Sequence, residues 1–288
     1  MSMQKNSSVG NAGLTIYRIF CYFVLILLSV LSLAAFYILI INTTRAHPDI
    51  AKGFSLLPGK SFLVNMKSVF SNDTLPVLTG IFNSFIVSAG VAALATYFSA
   101  MTAYGIHAYT FKFKNAIFAF ILMIMIVPTQ VSALGFVSMI RDMDLLNSFI
   151  PLIIPAIASP IIFFFMKQYM ESALPLEIIE AARIDGSNEF YTFNRIVFPI
   201  LKPAIAVQAI FAFTGAWNNY FIPALILDKK DMKTLPILIA MLRSADFAKF
   251  DLGQVYGLIF VSIIPVALVY LFLSKYIVRG IALGSVKG

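Results

Sequence analysis

Six intervals of this chain carry no Asp, Glu, Lys or Arg: residues 19–44, 74–111, 115–140, 145–166, 203–227 and 252–274. The shortest has 22 residues and the longest 38. About 20 apolar residues in a helix cover the roughly 30 Å hydrocarbon core of a bilayer, so each interval is long enough to span. Inside hydrocarbon every backbone N–H and C=O must find a partner, and a helix pairs its own. The pattern predicts an all-α, polytopic membrane protein with six transmembrane helices, over 19–41, 79–107, 116–137, 149–166, 204–227 and 255–274.

Composition agrees with lipid as the solvent. Only 12% of the 288 residues are charged, against about 25% in soluble domains. The first interval exceeds the roughly 7–15 apolar residues of a cleavable signal, so it is expected to stay as a span. That gives a tail at 1–18, a membrane domain at 19–274 and a second tail at 275–288, with the polar start at 1–13 expected to be loose.

Several functions are argued against by what the chain lacks. The net charge is +8, but the basic residues are scattered among loops without a stripe, which is no nucleic-acid footprint. A single Cys21 excludes an internal disulfide and a cysteine metal cluster. Gly53 and Gly59-Lys60-Ser61 imitate a phosphate loop with five residues between the glycines instead of four, so they read as a turn and no ATP site. With two histidines, and neither paired carboxylates nor a serine–histidine pair within a span, no catalytic constellation is visible. No cofactor, metal or enzymatic activity is expected of this chain.

A span without ionisable groups also lacks the proton and ion relays of many coupled carriers, and suits an uncharged solute. Such a solute can be hydrogen-bonded by the polar side chains the spans do contain. Thr129 and Gln130 follow Pro128 and either face a solute path or re-satisfy the kink that the proline makes. Trp217, Asn218, Asn219 and Tyr220 either line the path or form an interfacial belt. Small residues Ser88, Ala89, Gly90, Ala92, Ala93 and Ala95 permit close helix packing. Pro151, Pro155 and Pro160 are expected to bend the fourth span.

The longest helical stretch that carries charge runs from Pro175 through Glu180-Ala181-Ala182-Arg183-Ile184-Asp185-Gly186 to Ile196-x-x-Pro199. Proline suits a first helical turn, Glu177 lies near its positive end, and Gly186 can end it in the left-handed conformation. A second short helix is expected to follow, with Phe190, Phe193, Ile196 and Val197 on one face. Ala181 and Ala182 leave room for close approach of another protein.

This stretch resembles the "EAA" loop in the membrane subunits of bacterial ABC importers, and its longer form resembles the sugar-importer branch. It departs at Phe198, where that branch usually has Leu, and at Ser187, where it often has Ala. Asn83-Ser84, Trp217-Asn218 and the terminal Gly284-x-Val286-Lys287-Gly288, with Ser285 at x, are similar to features of the shorter permease of maltose-type systems.

The resemblance implies a carbohydrate-uptake permease with a cytoplasmic helix–Gly–helix coupling loop at 175–199. Glu180, Ala181, Ala182, Asp185, Gly186 and Ser187 would contact an ATPase, the 284–288 tail would reach the ATPase dimer, and Asn83 would join the candidate path. It implies a second homologous permease, two ATPase subunits holding ATP and Mg, an extracytoplasmic sugar-binding protein and an oligosaccharide. Both termini would then be cytoplasmic in a bacterial inner membrane. Basic residues barely vote on this, with 11 inside against 10 outside. The alternatives are a self-sufficient secondary carrier of a neutral solute and an ABC permease for a non-sugar solute.

Overall fold

The computed structural model describes residues 7–72, 75–244 and 250–284, with side chains between residues 13 and 276. All regular structure in these residues is helical. Four helices are long and apolar enough to cross a membrane by themselves: Gly13–Thr43, Val77–Ala108, Ile150–Ala173 and Leu252–Tyr276. Two bent pairs, Lys114–Ile124 with Thr129–Asp142 and Glu189–Ile200 with Lys202–Trp217, bring the number to six if each counts as one span.

The chain packs as two compact units. The first comprises Met1–Val69 with Lys249–Phe260. Its long helix, Ser7–Thr43, is already helical at residue 7, inside the stretch expected to be loose. From Leu14 to Ile40 it exposes large apolar side chains all round, the surface of a helix whose solvent is lipid or another apolar helix. Buried Arg45 stands just beyond, where its guanidinium donates to Asn42 Oδ1 at 3.1 Å, to the Gly53 carbonyl at 3.0 Å and to the Asp49 carbonyl. Asn65 Nδ2 donates to the carbonyls of Thr43 and Arg45 at 2.8 and 2.9 Å. The stretch between the first two long helices therefore contains two short helices, His47–Ala51 and Phe62–Phe70, tied together by side chains that answer orphan carbonyls.

The second unit comprises Phe70–Ala248 and Val261–Gly288 and is organised around helix Val77–Ala108. Ala95, Ala100 and Ala103 are fully buried along it, so neighbouring helices approach its backbone closely. At Gly90 even a Cβ would lie 2.9 Å from Ile153, which accounts for glycine there. One core gathers Tyr104, Phe163, Met166, Met170, Ile179, Phe193, Val197 and Leu201. A second gathers Ile140, Ile226, Leu227 and Ile237.

Three expected spans are interrupted. Pro128 does not merely bend one helix. It stands at the start of a new one, with φ −65° and ψ 128°, and the two pieces meet at 92°. The fourth span runs as Ile150–Ile153, a tighter turn Ile154–Ile157, and then Pro160–Ala173. Each proline removes a donor and starts or tightens a turn. The fifth ends at Trp217, and a separate helix, Phe221–Ile226, follows. Pro265, by contrast, lies inside the continuous helix Leu252–Gly284.

Candidate functional site: an elbow, a lever and a cavity

The elbow begins at Pro175, whose extended backbone (φ −60°, ψ 140°) launches helix Leu176–Ile184. Gly186 ends it at φ +78°, a conformation that side chains with a Cβ rarely adopt. The Gly186 amide donates to the Arg183 carbonyl, and the Ser187 amide reaches back to the Ala182 carbonyl, both at 3.0 Å, closing the last carbonyls of the helix. Asn188 then caps the next helical stretch, its Oδ1 accepting from the Tyr191 amide at 2.9 Å. Over Thr192–Val197 that stretch widens to a π-helical turn just before Pro199, where the missing N–H would leave the Arg195 carbonyl without its usual donor.

Burial sorts the elbow into an anchored side and a presented side. Ile179, Phe193 and Val197 are buried in the first core, and Ala182 is buried as well. Glu180, Ala181, Asp185 and Gly186 are exposed, and Ser187 is half-buried with its Oγ 2.8 Å from Thr192 Oγ1. Thus Ala182 packs against its own chain, and Ala181 is the outward member of the pair. Phe190 does not share the buried face of Phe193 and Val197. It is 68% exposed beside Tyr191, and Ile184 is 86% exposed. Periodicity placed Phe190 on the face of Phe193 and Val197 and did not pick out Tyr191 or Ile184. A large exposed apolar residue next to a helix-ending glycine was the available signal.

The elbow is clamped to the end of helix Val77–Ala108. Arg183 Nε donates to Glu189 Oε1 at 2.7 Å across Gly186, and the Tyr104 hydroxyl donates to Glu189 Oε2. The Arg183 guanidinium lies 4.8 Å from the centre of the Tyr109 ring. Its hydrogen bond to Glu189 holds the guanidinium pKa above the ordinary value, outweighing partial desolvation. His107 Nε2 donates to the Leu174 carbonyl at 3.0 Å, and the Tyr97 hydroxyl to Asn194 Oδ1 at 3.1 Å. One carboxylate, Glu189, therefore joins both arms of the elbow to the long helix.

The same helix holds a loop at its other end. Asn83 Nδ2 donates to the carbonyls of Asp231 and Lys233 at 2.8 and 3.0 Å, and Ser84 Oγ accepts from the Leu235 amide at 2.7 Å. Asn83 is thereby committed to backbone rather than to open space. Midway along, Val87, Val91 and Ala95 border a cavity of about 910 Å³. Its wall is mostly apolar, with Phe136, Phe165 and Phe211, and its polar members are Thr129, Ser132, Ser159, Gln208 and Asn219.

Of the expected path residues, Thr129 and Asn219 border this cavity. Trp217 is buried, stacked on Phe213 at 5.7 Å, with its indole N–H donated to the Ser262 carbonyl at 3.1 Å. Gln130, Asn218 and Tyr220 are exposed and away from the cavity wall. Gln208 was missed, although it is the one carboxamide in its apolar run 203–216 and a carboxamide there needs a partner. Gly284 closes the last helix, and Ser285, Val286, Lys287 and Gly288 lie outside the described residues.

A family model described as "Binding-protein-dependent transport system inner membrane component" matches residues 96–282. The arabinooligosaccharide transport system permease protein of Bacillus subtilis strain 168 is 32% identical over 277 residues, 95% of this chain and 97% of that protein. The lactose transport system permease protein of Rhizobium radiobacter is 29% identical, covering 92% and 95%. The sn-glycerol-3-phosphate transport system permease protein of Yersinia enterocolitica is 28% identical, covering 91% and 95%. Among solved structures, a chain of a bacterial ABC transporter involved in importing the acidic polysaccharide alginate aligns with a TM-score of 0.74 at 20% identity, over 96% of this chain and 99% of that one, a likeness of fold. An all-helical membrane chain with a clamped, outward-facing Glu-Ala-Ala elbow, matched over most of its length, belongs to the family of inner-membrane components of binding-protein-dependent transport systems.

Proposed function

We propose that this chain is one of two membrane subunits of an ABC importer that moves a neutral carbohydrate, an oligosaccharide by its relatives' cargo, into the cell. The observation that carries the reading is the elbow, exposed at Glu180, Ala181, Asp185 and Ile184 yet rooted in the core and clamped through Glu189. Such a piece can receive a push and pass it on without deforming. The named cargoes of the Bacillus and Rhizobium relatives are sugars. The Yersinia relative's cargo is a phosphate ester, but among the described residues no charged side chain borders the cavity, which favours an uncharged solute.

In this mechanism two ATPase subunits, holding ATP and Mg, grip the 175–199 elbow on the cytoplasmic side and close. The clamp hands that movement to helix Val77–Ala108, whose 32 residues make a rod of roughly 48 Å. Its middle borders the cavity and its far end carries the 229–235 loop. A rotation started at the elbow thus reaches both the cavity and the outer surface, where an extracytoplasmic binding protein delivers the sugar. The two-state element is the helix bundle of this chain and a homologous partner, and the switch is ATPase closure. Both termini lie in the cytoplasm, and the 284–288 tail reaches the ATPase pair.

The test is to purify the chain with co-expressed neighbours, reconstitute it in liposomes and measure ATP hydrolysis and uptake across a sugar panel. We expect loaded binding protein to stimulate both. Uptake by this chain alone, driven by an ion gradient and indifferent to ATP, would instead mark a secondary carrier.

A further inference from the structure

We propose that Gln208 contacts the transported solute. Its carboxamide would hydrogen-bond a neutral, polyhydroxylated molecule in the mid-membrane cavity, so this subunit itself takes part in selecting the cargo. The inference rests on the carbohydrate reading above and adds which side chain reads the sugar.

Gln208 is only 7% exposed, yet its amide has no hydrogen-bond partner among the described residues. Its amide atoms are not sealed in protein, so their donors and acceptor stay open to whatever fills the space beside them. Gln208 borders the cavity of about 910 Å³ midway along helix Val77–Ala108. That volume lies within the range of small-molecule sites, roughly 300–1,000 Å³.

The surroundings define the class of ligand. A carboxamide both donates and accepts, which matches a hydroxyl that does the same. Asn219 and Ser159 bring two more polar side chains to the wall without partners among the described residues. Phe136, Phe165 and Phe211 supply flat apolar faces for the C–H faces of a sugar ring. Among the described residues no Lys or Arg lines the cavity to neutralise a phosphate or carboxylate.

The experiment uses the complete importer in proteoliposomes, with binding protein in saturating excess so that passage through the membrane is read. The probes are lactose, maltotriose and arabinotriose, with sn-glycerol-3-phosphate as the anionic control. Gln208→Leu should slow uptake of the transported sugar about tenfold, the worth of one hydrogen bond left unmade at a water-poor site. Gln208→Asn should recover part of the rate. In a Cys21→Ser background, Gln208→Cys should react with a methanethiosulfonate reagent, and that sugar, but not glycerol phosphate, should slow the reaction. This second readout decides the matter if Gln208→Leu fails to assemble. Unchanged uptake by assembled Gln208→Leu, or labelling of Gln208→Cys that the sugar does not slow, overturns the proposal for Gln208 alone. An importer that moves none of the three sugars overturns the carbohydrate reading, and this inference with it.

Discussion

Replacing Gly186 with valine is expected to cut sugar uptake at least tenfold while leaving the subunit in the membrane at normal abundance. The space is not the obstacle, since a Cβ at Gly186 would meet nothing within 4 Å. The obstacle is φ +78°. A β-branched residue in that region costs roughly 1–3 kcal/mol, enough to open the two backbone bonds that close the first helix at Arg183 and Ala182. The elbow angle would change, and with it the path of any push. Asparagine, which tolerates the left-handed region, should retain most of the uptake, and alanine should fall between. Uptake of labelled sugar beside an immunoblot of membranes gives the ranking. Normal uptake by Gly186→Val would remove the elbow from the mechanism.

Glu189→Ala should separate ATP hydrolysis from transport. The carboxylate is the shared acceptor of Arg183 Nε and the Tyr104 hydroxyl, so its loss strands one donor on the first arm of the elbow and one on helix Val77–Ala108. Arg183 Nη2 is already buried without a partner among the described residues, and it would lose its neighbour's charge as well. Both side chains of the pair are more than a third exposed, so the stability lost is about 1–2 kcal/mol and the protein should still fold. The mechanical effect is larger than the thermodynamic one. Without Glu189, movement of the elbow no longer has a stiff route into helix Val77–Ala108. We expect ATP hydrolysis to continue while the sugar moved per ATP drops about tenfold. Tyr104→Phe, which removes one of the two bonds, should show a smaller loss in the same direction. Hydrolysis and uptake falling in strict proportion would mean that the clamp only holds the fold together.

Much of this architecture was legible in the residues because lipid imposes simple rules. Charge-free length located the spans, and Glu180-Ala181-Ala182 with Gly186 located the elbow. What escaped depended on three-dimensional partners. The 92° break at Pro128 could not be told from a mild kink, because a proline permits either and neighbouring packing chooses. Asn83 was placed on the path by the family resemblance and Trp217 as a polar group in a span, but their hydrogens are spent on carbonyls far along the chain at Asp231, Lys233 and Ser262. Gln208 was overlooked for the opposite reason, since nothing in a run of apolar letters says that a cavity lies beside it. Glu189 stood in the elbow unremarked, because its partners Tyr104 and Arg183 meet it only after folding.

The central claim is that the elbow is where an ATPase pushes, and site-directed cross-linking in the native assembly tests it most directly. In a Cys21→Ser background, Ala181→Cys and Ile184→Cys should each cross-link to a nucleotide-hydrolysing subunit. Ala182→Cys, one residue away but buried in this chain's own core, should not. Cross-links from Ala181→Cys and Ile184→Cys that never reach such a subunit would contradict the account.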